Sequence, residues 1–252
     1  MGIWTTSGSP FMTELIGLAE PDYVVIDAQH GFLGSDTARL CLLAMARMTA
    51  TPLVRVPSAD QPMIGQMLDA GAHGVIVPMI ENAQDARNAV AACRLAPGGV
   101  RSFGPVRASQ TFGRDPAVLG AEVLCIVMIE TAEGVANAEE IVAVDGVDGV
   151  CIGPADLAIS YGLAPGLELI PGVHEDGIER VRLACAARGV AVGLPAASGE
   201  QARALIDRGF TMVGVGSDTQ WVRAAAVQEL EKARNGLTMP PPERAHRQGG
   251  TY

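Results

Sequence analysis

Apolar residues along this chain gather into short runs, and the runs recur. Eight stand out: 2–6 (GIWTT), 23–27 (YVVID), 52–56 (PLVRV), 74–79 (GVIVPM), 123–130 (VLCIVMIE), 149–153 (GVCIG), 190–195 (VAVGLP) and 212–216 (MVGVG). Within each, apolar positions are continuous rather than alternating. A strand covered on both faces reads this way, which is the habit of parallel sheets. Amphipathic stretches lie between the runs. Residues 60–72 set Met63, Ile64, Met67 and Leu68 at helical intervals and stop at Gly71. The stretches 81–99, 131–146 and 172–189 also keep their apolar residues to one side. At 198–209, Ser198 is followed three residues later by Gln201, the spacing of a capping box. Strand–helix units repeated eight times predict an α/β fold closed as a (β/α)8 TIM barrel. The competitor is an open doubly wound sheet. It would carry a glycine-rich phosphate loop after its first strand, and TTSGSPFM is not one.

The length of 252 residues suits one such barrel. Residues 1–235 are expected to form it. Two segments break the pattern: a Gly-, Pro- and Arg-rich insert at 97–121, and a polar Pro/Gly tail at 236–252 expected to be mobile or packed on a neighbour. Composition then narrows the partners. A formal net charge of −10 argues against nucleic acid, which demands basic surfaces. No apolar run is long enough to span a bilayer, and the first ten residues are not a signal peptide, so no membrane partner and a cytoplasmic location are expected. The five cysteines are widely spaced, without a CxxC pair, and read as buried, reduced thiols.

In a barrel the chemistry sits where strands end. The second run delivers Asp27 and His30, the third holds Arg55, the fifth ends in Glu130, and the sixth runs through GPAD to Asp156. Each has an ordinary explanation. Asp27 could cap a turn, Glu130 could be a first-turn helix acid, and Arg55 could bridge to Asp60 at the surface. Together they read as one mouth. Two adjacent carboxylates, Glu130 and Asp156, want a cation between them, and hard oxygen ligands fit Mg2+ or Mn2+, with Co2+ also possible. Arg55 could neutralise an oxyanion, His30 could move a proton, and the amides of Gly153 and Ala155 could meet a substrate carboxylate. The single lysine, Lys232, falls on the last helical stretch beside Glu231 and Arg234, which excludes Schiff-base chemistry at a strand end.

The blocks VVIDAQHG, PLVRVPSAD, LDAGAHGVIVPM, VRSFGPVRA, MIETAEGVANAEEI and GVDGVCIGPADLAISYG resemble, in that order, the metal-dependent pyruvate aldolases of the hydroxy-oxo-heptanedioate aldolase family, relatives of citrate lyase β-chains. The resemblance covers about residues 2–225. It implies class II aldol cleavage of a 4-hydroxy-2-oxo acid to pyruvate and an aldehyde. His30 would be the base, Arg55 the enolate stabiliser, Glu130 and Asp156 the metal ligands, and the Ala155 amide the carboxylate donor. It further implies that Asp69 raises the histidine's basicity, which leaves Asp27 as a second orienting acid. It also implies a homohexamer with C-terminal helices exchanged between subunits. One position departs: Met128 stands where well-known members place a substrate-touching glutamine. Phe103 and its insert are expected to shape the aldehyde side. An acyl-CoA thioester lyase and a non-catalytic 2-oxo-acid-binding barrel are the alternatives.

Overall fold

Eight parallel strands close on themselves in chain order, β1 pairing with β8. They are β1 Gly2–Thr5, β2 Tyr23–Asp27, β3 Thr51–Arg55, β4 Gly74–Val77, β5 Leu124–Ile129, β6 Gly149–Ile152, β7 Ala191–Pro195 and β8 Met212–Ser217. The structure, a computed structural model, describes residues 1–235; the tail expectation at 236–252 lies outside the described residues. Helices alternate with the strands: α1 Pro10–Gly17, α2 Ser35–Ala44, α3 Gln61–Asp69, α4 Ala83–Cys93, α5 Ala108–Phe112, α6 Pro116–Ala121, α7 Ala132–Ala136, α8 Ala138–Val142, α9 Pro154–Ser160, α10 Val173–Arg188, α11 Gly199–Asp207 and α12 Asp218–Arg234. All eight apolar runs became strands. The barrel, not the open sheet, is the architecture.

The pleat explains why polar residues appear where they do. Successive side chains on a strand face opposite ways. Outward residues such as Val24, Ile26, Val54, Val75, Val77, Val127, Ile129, Val150 and Ile152 meet the helices and are essentially fully buried. Inward residues Trp4, Val25, Leu53, Ile76, Ile126, Met128 and Cys151 pack together as the barrel's own core. Continuing inward by two from Val25 gives Asp27, from Leu53 gives Arg55, and from Met128 gives Glu130. The core is thus apolar to the last inward layer and polar at its C-terminal edge.

Helix ends follow local chemistry. Ser9, Asp60, Asn82, Asp115, Thr131, Ser198 and Ser217 each accept a first-turn N–H, and Pro stands in the first turn of α1, α3, α6 and α9. The expected box at Ser198 is only half formed. Ser198 accepts from the Gln201 N–H, but the Gln201 side chain accepts from Ala197 and donates to the Leu167 carbonyl. The reciprocal box forms at Ser217 and Gln220 instead.

The 97–121 insert holds α5 and α6 rather than remaining irregular. It joins α4 to β5, so it leaves and rejoins the barrel at the N-terminal rim. All five cysteines are buried, and burial pushes the Cys151 and Cys185 thiols up to about 12. No helix among the described residues is long and apolar enough to cross a membrane.

Candidate active site

Asp27 and Arg55 are direct register partners on β2 and β3. Arg55 donates from Nε to Asp27 Oδ1 at 2.9 Å and from Nη2 to Oδ2 at 2.7 Å, a bidentate pair. Both side chains are buried. The Arg55 guanidinium also lies 4.8 Å from the Trp4 ring centroid, and Nη1 faces the Met128 sulfur at 3.8 Å. Nη1 and the second N–H of Nη2 are left for anything else. The surface bridge from Arg55 to Asp60 does not exist: Asp60 caps α3.

Asp27 Oδ1 accepts two further N–H groups, from Gln29 at 3.1 Å and His30 at 3.2 Å. The carboxylate therefore sets the turn that carries His30, whose side chain is exposed at the mouth. It does not bond the imidazole: its contacts go to backbone N–H groups and to Arg55, so Asp27 orients His30 through the turn.

Glu130 follows β5 and is 2% exposed. Its Oε1 accepts the Met79 N–H at 2.9 Å. Met79 has φ 56°, a left-handed conformation that a side chain adopts at a cost of about 1–3 kcal/mol. That twist in the loop after β4 turns a donor toward the acid. Burial raises the Glu130 pKa, the Met79 N–H opposes this, the Asp156 charge raises it further, and Arg55 lowers it. Asp156, exposed in the first turn of α9, is thus within electrostatic reach, as adjacent strand ends predicted.

Gly153 sits between them, and its role differs from the one expected. Its N–H donates to Ile129 O at 3.1 Å and is not available to a ligand. What matters is its missing Cβ, which would lie 2.5 Å from Glu130 Oε2 and 3.0 Å from the Met128 methyl. The Ala155 N–H, in the first turn of α9, has no recorded backbone partner among the described residues. A buried histidine that sequence reasoning missed supports this loop. His174 Nδ1 accepts from Ile170 N–H at 3.1 Å, so Nε2 carries the proton and donates to the Pro154 carbonyl at 2.9 Å.

Two expected residues lie elsewhere. Asp69 ends α3, which runs back from the mouth, so it sits at the N-terminal rim. There it pairs with buried Arg101 at 2.7 Å. Phe103, half exposed beneath Arg114, belongs to the same rim. Neither reaches the mouth of its own chain, because an αβ connection returns to the opposite end of the barrel from a βα loop. Trp4, at the end of β1, is the mouth residue that sequence reasoning overlooked. Its inward register on a short strand was the available signal.

The Glu130–Asp156 pair suits a hard divalent ion. The two carboxylates act on one another electrostatically, and Arg55, the cation that acts on Glu130, is already paired with Asp27. Among the described residues no cluster of three or more His, Cys, Asp or Glu forms a closed metal cage. Two protein ligands leave positions for water or substrate.

A parallel barrel that gathers Asp27, Arg55, Glu130 and Asp156 at its C-terminal rim, with its lysine exposed on α12 and paired with Glu229, is a barrel lyase without an iminium-forming amine. The chain belongs to the HpcH/HpaI aldolase/citrate lyase family, whose sequence model matches residues 1–225, and is a carbon–carbon lyase. It is 37% identical over 232 residues to a hydroxypyruvate/pyruvate aldolase of Rhizorhabdus wittichii, covering 92% of each chain. It is 39% identical over 227 residues to a 4-hydroxy-2-oxovalerate aldolase of Rhodococcus jostii, covering 87% of this chain and 85% of that one. A crystal structure of an HpcH/HpaI aldolase/citrate lyase family protein from Burkholderia cenocepacia superposes with a TM-score of 0.85 at 34% identity, covering 92% and 93%.

Proposed function

We propose that the chain is a class II aldolase that cleaves a 4-hydroxy-2-oxo acid to pyruvate and an aldehyde, and runs the reverse addition. The observation that carries this reading is the buried Glu130 beside Asp156, with its oxygens set by Met79 and Gly153, at the same rim as Arg55. Glu130 and Asp156 would hold Mg2+ or Mn2+, with Co2+ as a further candidate. Bound there, the ion supplies positive charge that polarises the 2-oxo group and favours negative charge on its oxygen. Arg55 Nη1 offers a donor to that oxygen as charge develops. His30 accepts the proton of the 4-hydroxyl as the C3–C4 bond breaks and the aldehyde forms, and a proton returned to C3 completes pyruvate. The Ala155 N–H suits the substrate carboxylate. Met128 gives the intervening wall no hydrogen-bonding group of use to a carboxylate, so orientation falls to the ion site and the amide.

Asp69 and Phe103 can serve this chemistry only across a contact with a second copy, where one chain's N-terminal rim meets another's mouth. The exposed apolar side chains of α12, Trp221, Val222, Val227 and Leu230, support such an oligomer, a hexamer by resemblance. Intracellular, cytoplasmic action is part of this reading. The thioester and non-catalytic alternatives have no observation in their favour.

The test is pyruvate release from 4-hydroxy-2-oxo acids with added Mg2+ or Mn2+. EDTA and Glu130→Ala should each abolish it. Full turnover in EDTA would remove the mechanism.

A further inference from the structure

Phe32 stands two residues past His30, and at 94% it is the most exposed large apolar residue among those described. The backbone beneath it is pinned. Its N–H donates to Thr6 O at 2.7 Å, and the Thr6 N–H is itself held by Asp218. A Cβ on the preceding Gly31 would fall 2.1 Å from Asp27 O, so this close approach needs glycine. The turn presses its backbone against the barrel and holds the ring out in water. A large aromatic side chain presented in this way is the typical anchor of a protein–protein contact.

The next most exposed is Val106, at 85%, on the insert at the opposite rim. It lines a hollow of about 410 Å3 with Leu43, Ala70 and Gly104, and Asp69 belongs to the same wall. The polar groups of that wall are already engaged with one another or with neighbours, which leaves an apolar recess. Asp69 Oδ1 holds Arg101, while its Oδ2 has no hydrogen-bond partner among the described residues.

The ring and the hollow lie at opposite ends of one barrel, so neither serves the other within a chain. Between two chains they match. Residues 30 and 32 are at most about 7 Å apart along the backbone. A ring seated in the hollow of a second chain therefore carries the imidazole to the wall where Asp69 keeps an oxygen open. The same seating takes the two most exposed large apolar residues out of water.

We propose that Phe32 of one chain seats in the hollow walled by Leu43, Ala70 and Val106 of a second copy, and that this contact sets Asp69 beside the neighbour's His30. The contact is head-to-tail, each chain giving one ring and receiving one. The proposal rests on the aldolase reading for the use of Asp69, not for the contact. Its test keeps the ring in place. Gly34→Cys, where a side chain meets nothing within 4 Å, is combined with Val106→Cys in one full-length chain, the native thiols being buried. A short bis-maleimide should then give a ladder of covalent oligomers on a denaturing gel. Either variant alone should give none, and a refolded mixture of the two should stop at the dimer. Phe32→Asp added to the double variant should abolish the ladder and lower the mass in sedimentation equilibrium at least twofold, with circular dichroism unchanged. Placing the second cysteine at Ala117, in another apolar hollow of the same rim, should give no ladder. No ladder through Val106, a ladder that survives Phe32→Asp, or one through Ala117 instead overturns the inference. Pyruvate release by the wild-type chain is read separately. Release without the ladder overturns this inference alone; the ladder without release overturns the aldolase reading and leaves the contact standing.

Discussion

Arg55 shows how much one side chain depends on its partner. Its guanidinium is nearly dry, gripped at two nitrogens by Asp27 and stacked on Trp4. Breaking such a pair is costly, because a charge is left alone in the barrel. Asp27→Ala should therefore lower unfolding free energy by about 3–5 kcal/mol in a urea titration. Arg55→Lys keeps the charge and loses the fork. It should fold while kcat/KM for retro-aldol cleavage falls by roughly 10²–10³. The identities of Asp27, Arg55, Glu130 and Asp156 were legible as polar residues at the ends of apolar runs. Their partners were not. That Asp27 grips Arg55 depends on strand register, and that Gly153 matters for its missing side chain rather than its amide depends on where Ile129 O falls. Spacing along one chain records neither.

Among elements, the join between β6 and α9 is held from behind by α10. His174 of α10 reaches the Pro154 carbonyl with one ring nitrogen and receives Ile170 N–H with the other, so the GPAD turn and the 161–172 loop share one anchor. His174→Ala strands both backbone groups and opens a void. It should cost about 2–4 kcal/mol in chemical denaturation. It should also weaken Mn2+ binding in calorimetry, since Asp156 loses its fixed base. The strands were legible almost to their ends because inward and outward faces are both apolar. The helix expected at 131–146 is broken at Asn137 into α7 and α8, and two short helices stand within the insert. Elements of five or six residues carry too few turns for a periodic signal. The Ser198 box failed for a different reason: Gln201 found better partners in Ala197 and Leu167, a tertiary choice.

For the molecule as a whole, direction decides reach. Helices return from the mouth to the far rim, so Asp69, Arg101 and Phe103 cannot act on their own chain's His30. If these rims meet mouths in an oligomer, refolding a mixture of His30→Ala and Asp69→Asn chains should restore pyruvate release that neither variant shows alone. A mixture as inactive as its parents would remove Asp69 from the chemistry. Closing eight strands was readable from the number of apolar runs; which surface meets a neighbour was not, since exposed apolar side chains on α12 look like any helical stripe until the barrel leaves them uncovered.

The same closure hides every native thiol, and where burial also holds sulfur protonated, as at Cys151 and Cys185, maleimide and similar reagents find little thiolate at neutral pH. A single cysteine placed on the outer face of α11 would then be the chain's fast-labelling position. A fluorophore or spin label could be attached there to a wild-type background, with no native residue first removed.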